Sequence, residues 1–517
     1  MNRLLTHVTR AALATALVLV AYPVPTQGAT ATNRPTFGPA WKSVNCKTFG
    51  LNPLVATMSD CGYVTVPERH RQPNGRTIEL AVVRTRSLSS TPAPDPIVME
   101  QGGPGGSTIG LYPTIGLVAI PSLPAILQQR DMVFVEQRGT QFSKPYLPCP
   151  EEATHKIAVA RGERRPDDTA WVKACRDRML AEGVNLSAFN SVENAADIYT
   201  VVETLGYRQF NYYGVSYGTL LGQYVIAQAD EHQAKLRSVI IDGVVRPDVD
   251  FNLATPYGIS QALRNVFADC ARDPECNQAY PDLERVFLGL IDRLNQSPVP
   301  ATLTVASTQE KVATTIDGTD LVYALMPYLY QTAKSPELPR NLYRIFQHND
   351  FSWVEANLSD DLETKDATGM YLTVLCARVP SVRVEPTGLF PKPYPQLMAV
   401  GQQESARVTR SCGLLQVEPE APFAYDNAEI PTLIFNGAYD PVTPQPFGEA
   451  VGRNLRNSHV YTFPGVGHGA LMSLPGTPAE TCSASIALDF LANPQRPPNS
   501  DCLVKTKPTF VTATDPK

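Results

Sequence analysis

Short apolar runs bounded by turn residues fall at 97–100, 132–136, 210–214, 239–242, 432–436 and 459–463. Their length and β-branched content predict strands buried on both faces, as in a parallel sheet. Between them the spacing becomes helical. Ile198, Val201, Val202 and Leu205 share one face, with Asn194 available as an N-cap and Gly206 as the stop. Leu220, Leu221, Tyr224 and Val225 form a second apolar face. Strand and helix alternate, which predicts an α/β fold with a mostly parallel, doubly wound sheet. Between 246 and 423 the strand signal fades into helical stretches at 262–267, 283–294 and 321–330, and sheet signals resume at Pro431. Segment 246–423 is therefore expected to be a mainly helical lid inserted into a core divided between 32–245 and 424–517.

Composition narrows the class of protein. Apolar residues make up 43% of 517 and charged residues 18%, which suits a globular chain and argues against disorder. A net charge of −6 supplies no basic face to track a phosphate backbone, so nucleic acid is excluded as an expected partner. Arg3 and Arg10 precede an apolar run at 11–22 and then small residues at 29–31. That order predicts a secretory signal peptide over 1–31, too short in its apolar part to span a bilayer, and no stable membrane insertion once it is removed. Ten cysteines in sequence-local couples agree with export to the periplasm or beyond the cell. The expected bridges are Cys46–Cys61, Cys149–Cys175, Cys270–Cys276, Cys376–Cys412 and Cys482–Cys502. Neither CxxC pairs nor histidines lie beside them, so no metal is expected.

The chemistry centres on Gly214-Val215-Ser216-Tyr217-Gly218, which follows a predicted strand and opens into a predicted helix. A serine on that turn is held in a strained conformation, and the flanking glycines leave room for it. Its hydroxyl needs a general base. Six histidines remain once His7 leaves with the leader, and in α/β-hydrolases the order is serine, acid, histidine. His468, in the glycine-rich Gly465-Val466-Gly467-His468-Gly469, fits that order; His459 lies within a predicted strand and reads as structural. Asp440, just past the strand at 432–436, is the expected acid, which would hold the His468 tautomer. Its competing use is to cap the turn before Pro441, and Asp242 and Glu449 are rival acids. Gln101-Gly102-Gly103-Pro104-Gly105-Gly106-Ser107 follows the strand at 97–100 and supplies an oxyanion loop, with the Gly103 and Tyr217 amides as donors. The loop lacks the Lys-Ser/Thr pair of a phosphate-binding P-loop.

With these pieces in place the chain resembles the secreted tripeptidyl aminopeptidases and proline iminopeptidases of the α/β-hydrolase fold. The matching stretches are 102–106, Glu136-Gln137-Arg138-Gly139-Thr140, 214–219, 242–244, Gly437-Ala438-Tyr439-Asp440-Pro441-Val442-Thr443-Pro444 and Gly467-His468-Gly469, with a C-terminal part in which Cys482 and Cys502 bracket a last helix. The resemblance implies Ser216, Asp440 and His468 as a triad, the Gly103 and Tyr217 amides as oxyanion donors, and peptide substrates with a free N-terminus; acyl transfer on such a triad needs no cofactor. Gln101 departs from the histidine usual in iminopeptidases, which weakens transfer of proline specificity. Recognising a buried ammonium takes a carboxylate, and Asp360, Asp361, Glu363 and Asp366 of the lid are available. The alternatives are an esterase or lipase with the same triad and a non-catalytic binding protein on a hydrolase scaffold.

Overall fold

A computed structural model describes residues 37–512, apart from 164–168, 364–365, 379–381, 383–385 and 473–476. The leader expected at 1–31 lies outside the described residues.

Nine strands form the main sheet: β1 (Trp41–Ser43), β2 (Ser59–Pro67), β3 (Thr77–Thr85), β4 (Ile97–Glu100), β5 (Met132–Val135), β6 (Gln209–Val215), β7 (Lys235–Asp242), and, after a hairpin of β8 (Val299–Thr304) and β9 (Lys311–Ile316), β10 (Thr432–Gly437) and β11 (Ser458–Phe463). Their spatial order is β1-β2-β3-β5-β4-β6-β7-β10-β11. The six strands expected from the apolar runs are all parallel neighbours. β1, β2 and β3 add an antiparallel edge that the apolar runs did not announce.

Alternation along β6 shows how the sheet is covered. Tyr212 packs into an apolar layer with helices Ser191–Thr204 and Tyr217–Ala227, and Tyr213 points into a second layer with helix Pro478–Ala492. Both tyrosines are fully buried, so β6 lies at the centre of a three-layer stack. The cap of the first helix differs from the expected one. Asn190, on extended backbone, accepts from the Glu193 N–H at 3.0 Å, while Asn194 is buried inside the helix with its amide 3.4 Å from the Tyr217 hydroxyl. Extended backbone at Asn190 is what lets an N-cap reach the first turn, and Asn194 already has helical geometry.

Between β7 and β10 the chain forms helices Phe251–Arg272, Leu283–Gln296, Gly318–Tyr330, Leu338–His348, Ser352–Asp361, Thr368–Arg378 and Met398–Leu415 around the β8–β9 hairpin. Leu263, Phe267, Phe287, Leu290 and Leu325 build a separate apolar core there, which includes Tyr439 from the loop after β10. All five expected cysteine pairs are bonded. Cys482 lies within the last helix instead of ahead of it. Among the described residues, no helix is long and apolar enough to cross a membrane.

Candidate active site

At the end of β6 the backbone reverses on Ser216, which adopts φ 58° and ψ −125° before helix Tyr217–Ala227 begins. A non-glycine residue held there costs about 1–3 kcal/mol and persists only where its surroundings impose it. They do so by contact. A Cβ on Gly214 would lie 2.1 Å from the Gly218 carbonyl oxygen, and one on Gly102 would lie 2.4 Å from the Ser216 Cβ. The Ser216 N–H donates to the Asp242 carbonyl at 3.1 Å, and its own carbonyl accepts from the Thr219 hydroxyl at 2.6 Å.

The loops after β10 and β11 are joined by backbone hydrogen bonds from Ala438 N–H to the Phe463 carbonyl at 3.0 Å and from Tyr439 N–H to the Val466 carbonyl at 2.8 Å. The join carries Asp440 to His468, with Oδ2 2.7 Å from Nδ1 and both side chains buried. Asp440 also caps its turn, because Oδ1 accepts from the Val442 and Thr443 N–H groups, each at 2.9 Å. The contact with His468 and the turn cap therefore coexist on different oxygens. The Thr443 hydroxyl donates to Oδ2 at 2.5 Å and lies 2.9 Å from His468 Nδ1. Burial alone would push the Asp440 carboxyl up. The adjacent His468, the hydrogen bonds from His468 and the Thr443 donors outweigh it and hold the group below the usual carboxylate range. An ionised Asp440 fixes the proton on Nδ1 and leaves Nε2 as the acceptor. Nε2 is buried with no hydrogen-bond partner among the described residues.

The rival acids occupy other positions. Asp242, at the end of β7, accepts from the Ala470 and Leu471 N–H groups, each at 2.8 Å, and from the Tyr213 hydroxyl at 3.1 Å. It thus anchors the chain just beyond His468. The next residue, Gly243, lies under the imidazole, where a Cβ would come within 3.0 Å of His468 Cε1. Glu449 accepts from the Gln445 amide at 2.6 Å within its own helix. His459 sits in β11, where burial lowers its pKa.

Opposite Ser216 the glycine loop is shaped by buried polar groups. Gln101 Oε1 takes the Gly102 N–H at 3.0 Å, so Gly103, at φ 115°, is the next amide along the loop. Tyr217 occupies the first helical position, where an N–H has no intrahelical acceptor. Gln137 donates to the Gln101 carbonyl and to Glu100 Oε2, both at 2.9 Å. Glu136 accepts from the Ile109 N–H at 2.9 Å and the Ser107 hydroxyl at 3.1 Å. Burial, aided by the neighbouring Glu136 and against hydrogen bonds from Gln137 and Thr108, raises the Glu100 carboxyl well above its ordinary value. A cleft of about 290 Å³ opens beside His468, lined by Gln101, Leu111, Ile115, Val215, Tyr330 and Met472 among others.

Of the acids expected to be available in this segment, Asp361 and Asp366 both lie near Glu152 and Lys156. Asp361 faces Lys156 at 3.4 Å, and Glu363 accepts from the Ser307 N–H at 3.1 Å. Asp366 directly precedes Ala367, whose N–H donates to the Gly105 carbonyl at 3.0 Å. Neither Thr443 nor Gln137 stood out in the sequence as part of the site. The Asp-Pro-Val-Thr turn was the available signal for Thr443, because an aspartate in such a turn binds the N–H groups two and three residues on.

A parallel sheet with a strained serine at the end of a central strand, beside a buried histidine–aspartate pair, defines the serine hydrolases, enzymes of acyl transfer. The chain belongs to the alpha/beta hydrolase fold family, whose model matches residues 95–474. It is similar to the serine protease Hip1 of Mycobacterium tuberculosis (strain ATCC 25618 / H37Rv), with 24% identity over 518 residues, covering 94% of this chain and 95% of that one. It is also similar to the tripeptidyl aminopeptidase of Streptomyces coelicolor, with 30% identity over 205 residues, 37% of this chain and 36% of the other. Among solved structures, the proline iminopeptidase of Mycobacterium smegmatis aligns at a TM-score of 0.40 with 15% identity, covering 84% of this chain and 98% of that one.

Proposed function

We propose that this hydrolase is an exported serine exopeptidase, releasing N-terminal residues or short peptides through an acyl-enzyme on Ser216. The observation that carries the reading is the 2.7 Å Asp440–His468 pair beside the strained Ser216 turn. In this reading Ser216 Oγ attacks the peptide carbonyl as His468 Nε2 takes its proton, and Asp440 stabilises the imidazolium. The Gly103 and Tyr217 amides receive the oxyanion. His468 then protonates the leaving amine, and a water, activated by the same nitrogen, hydrolyses the acyl-enzyme. The 246–423 insertion acts as the lid, and residues 1–31 direct export.

Peptide substrates are supported by the relatives, one a serine protease and one a tripeptidyl aminopeptidase. Five disulfides fit folding in an oxidising compartment. For the free N-terminus, Asp366 is the carboxylate beside the residue that touches the oxyanion loop. The apolar walls of the cleft, Leu111, Ile115, Ile120 and Met472, favour a second reading, an esterase with the same triad.

The test is a panel of peptidyl chromogenic amides, unblocked and N-acetylated, set against p-nitrophenyl esters, with Ser216→Ala as the blank. Turnover of unblocked amides with loss on acetylation is expected. Ester turnover without amide turnover would remove the peptidase reading, and equal cleavage of acetylated peptides would remove the exopeptidase reading.

A further inference from the structure

The loop that carries His468 is poorly suited to hold a base still by itself. Gly465, Gly467 and Gly469 lie within five residues, and Gly465 and Gly469 have positive φ, 72° and 84°. Glycine leaves the most backbone freedom of any residue, so the ring direction depends on what the loop is fastened to.

On one side the fastening is Asp242, through the Ala470 and Leu471 N–H groups. On the other it comes from the insertion. Helix Gly318–Tyr330 ends against the loop, and the Tyr330 carbonyl, one of the acceptors a helix leaves unused at its C-terminus, receives the His468 N–H at 2.8 Å. Thr332 Oγ1 receives the Gly467 N–H at 3.1 Å. The approach is close enough to require glycine at 467, where a Cβ would lie 2.3 Å from the Leu329 carbonyl oxygen and 2.5 Å from that of Tyr330. The Tyr330 ring lies over the imidazole, centroids 4.4 Å apart and planes tilted by 33°. The carbonyl end of a helix carries partial negative charge, and it abuts the loop in which a cationic imidazolium forms.

We propose that Tyr330, with Thr332, is a positioning residue for His468: the end of the inserted helix clamps the backbone and ring face of the general base, so the insertion completes the catalytic centre as well as covering it. The proposal rests on His468 being the base of Ser216. Tyr330, 39% exposed, also lines the cleft, which gives the rival interpretation of a wall that only binds substrate. Kinetics separate the two. A wall residue changes KM with kcat kept, whereas a group that orients the base lowers kcat with KM kept.

The experiment compares Tyr330→Ala, Tyr330→Phe, Thr332→Val and His468→Ala, measuring kcat, KM and the rate at which a fluorophosphonate labels Ser216, with circular dichroism as the folding control. Tyr330→Ala is expected to lower kcat and labelling rate by about 10- to 100-fold with KM within about twofold, as for a base misplaced by an ångström. Tyr330→Phe, which keeps the ring, is expected to restore both rates. A folded Tyr330→Ala that raises KM alone overturns the clamp. If Tyr330→Ala does not fold, Thr332→Val decides: a fall in kcat of a few fold supports the clamp, and an unchanged kcat overturns it. Activity surviving in His468→Ala overturns the catalytic reading beneath it, whereas an inactive His468→Ala beside a normal Tyr330→Ala overturns the clamp alone.

Discussion

Two aspartates lie near one histidine, and their surroundings give them opposite tendencies. Asp440 is held ionised at His468 Nδ1, while burial raises Asp242 to about 6 against the hydrogen bonds from Ala470, Leu471 and Tyr213 and the charge of His468. The unfolded Asp242 titrates at the ordinary carboxylate value. Between that value and about 6 the folded chain holds a proton that the unfolded chain has lost, so the contribution of Asp242 to stability is fullest below the window and declines as pH rises through it. Asp242→Asn removes the titration. Relative to the wild type, this variant should gain about 2 kcal/mol between pH 4 and pH 7, read from denaturant curves at both. A constant difference would show that Asp242 titrates alike folded and unfolded. The sequence ranked Asp440 above Asp242 from chain order alone. It carried no sign that Asp242 would anchor the histidine loop from below, because that role depends on β7 and the segment after His468 meeting across more than 200 residues of chain.

At the scale of elements, the turn at Ser216 shows why its pattern is so demanding. Gly214, next to last in β6, lies against the first turn of the following helix with no room for a side chain. Gly214→Ala must push that helix away from the strand, at about 1–3 kcal/mol for the overpacking. Thermal unfolding should register that loss, and kcat should fall at least about tenfold as Ser216 shifts. The same scale explains what could be read from the chain. β5 is apolar throughout, and β4, β6, β7 and β10 each carry a buried, mainly apolar run because both faces are covered there, and such runs are visible in sequence. The hairpin β8–β9 escaped notice since its strands alternate Leu303 and Val312 with exposed threonines and a lysine inside a stretch dominated by helical spacing. In β2 and β3, polar residues such as Asp60, Glu79 and Arg84 interrupt the apolar signal, two of them joined as an Asp60–Arg84 ion pair across the strands.

For the whole molecule, the disulfides hold together parts that the sheet does not. Cys376–Cys412 ties helix Thr368–Arg378 to helix Met398–Leu415 across 36 residues. Closing a loop of that length constrains the unfolded chain, so Cys376→Ser with Cys412→Ser should lower stability by about 2–4 kcal/mol. The drop should appear as an earlier loss of activity on heating, and an unchanged profile would assign the bridge no share in stability.

β7 and β10 lie side by side in register, Val239 beside Thr432, although everything from 243 to 431 intervenes. The insertion therefore leaves and re-enters the sheet at adjacent strands about 5 Å apart. In evolutionary terms a segment so joined can serve as a cassette, because surface loops and outer helices tolerate insertion while the sheet beneath keeps its register. The freedom stops where the insertion touches the site, at Ala367 on the Gly105 carbonyl and at the end of helix Gly318–Tyr330, whose carbonyl receives the His468 N–H. If Tyr330 positions His468 as proposed, a lineage that acquires a new substrate by remodelling the cassette must carry that helix end across unchanged, and a graft that omits it inherits the serine and the acid without a steady base.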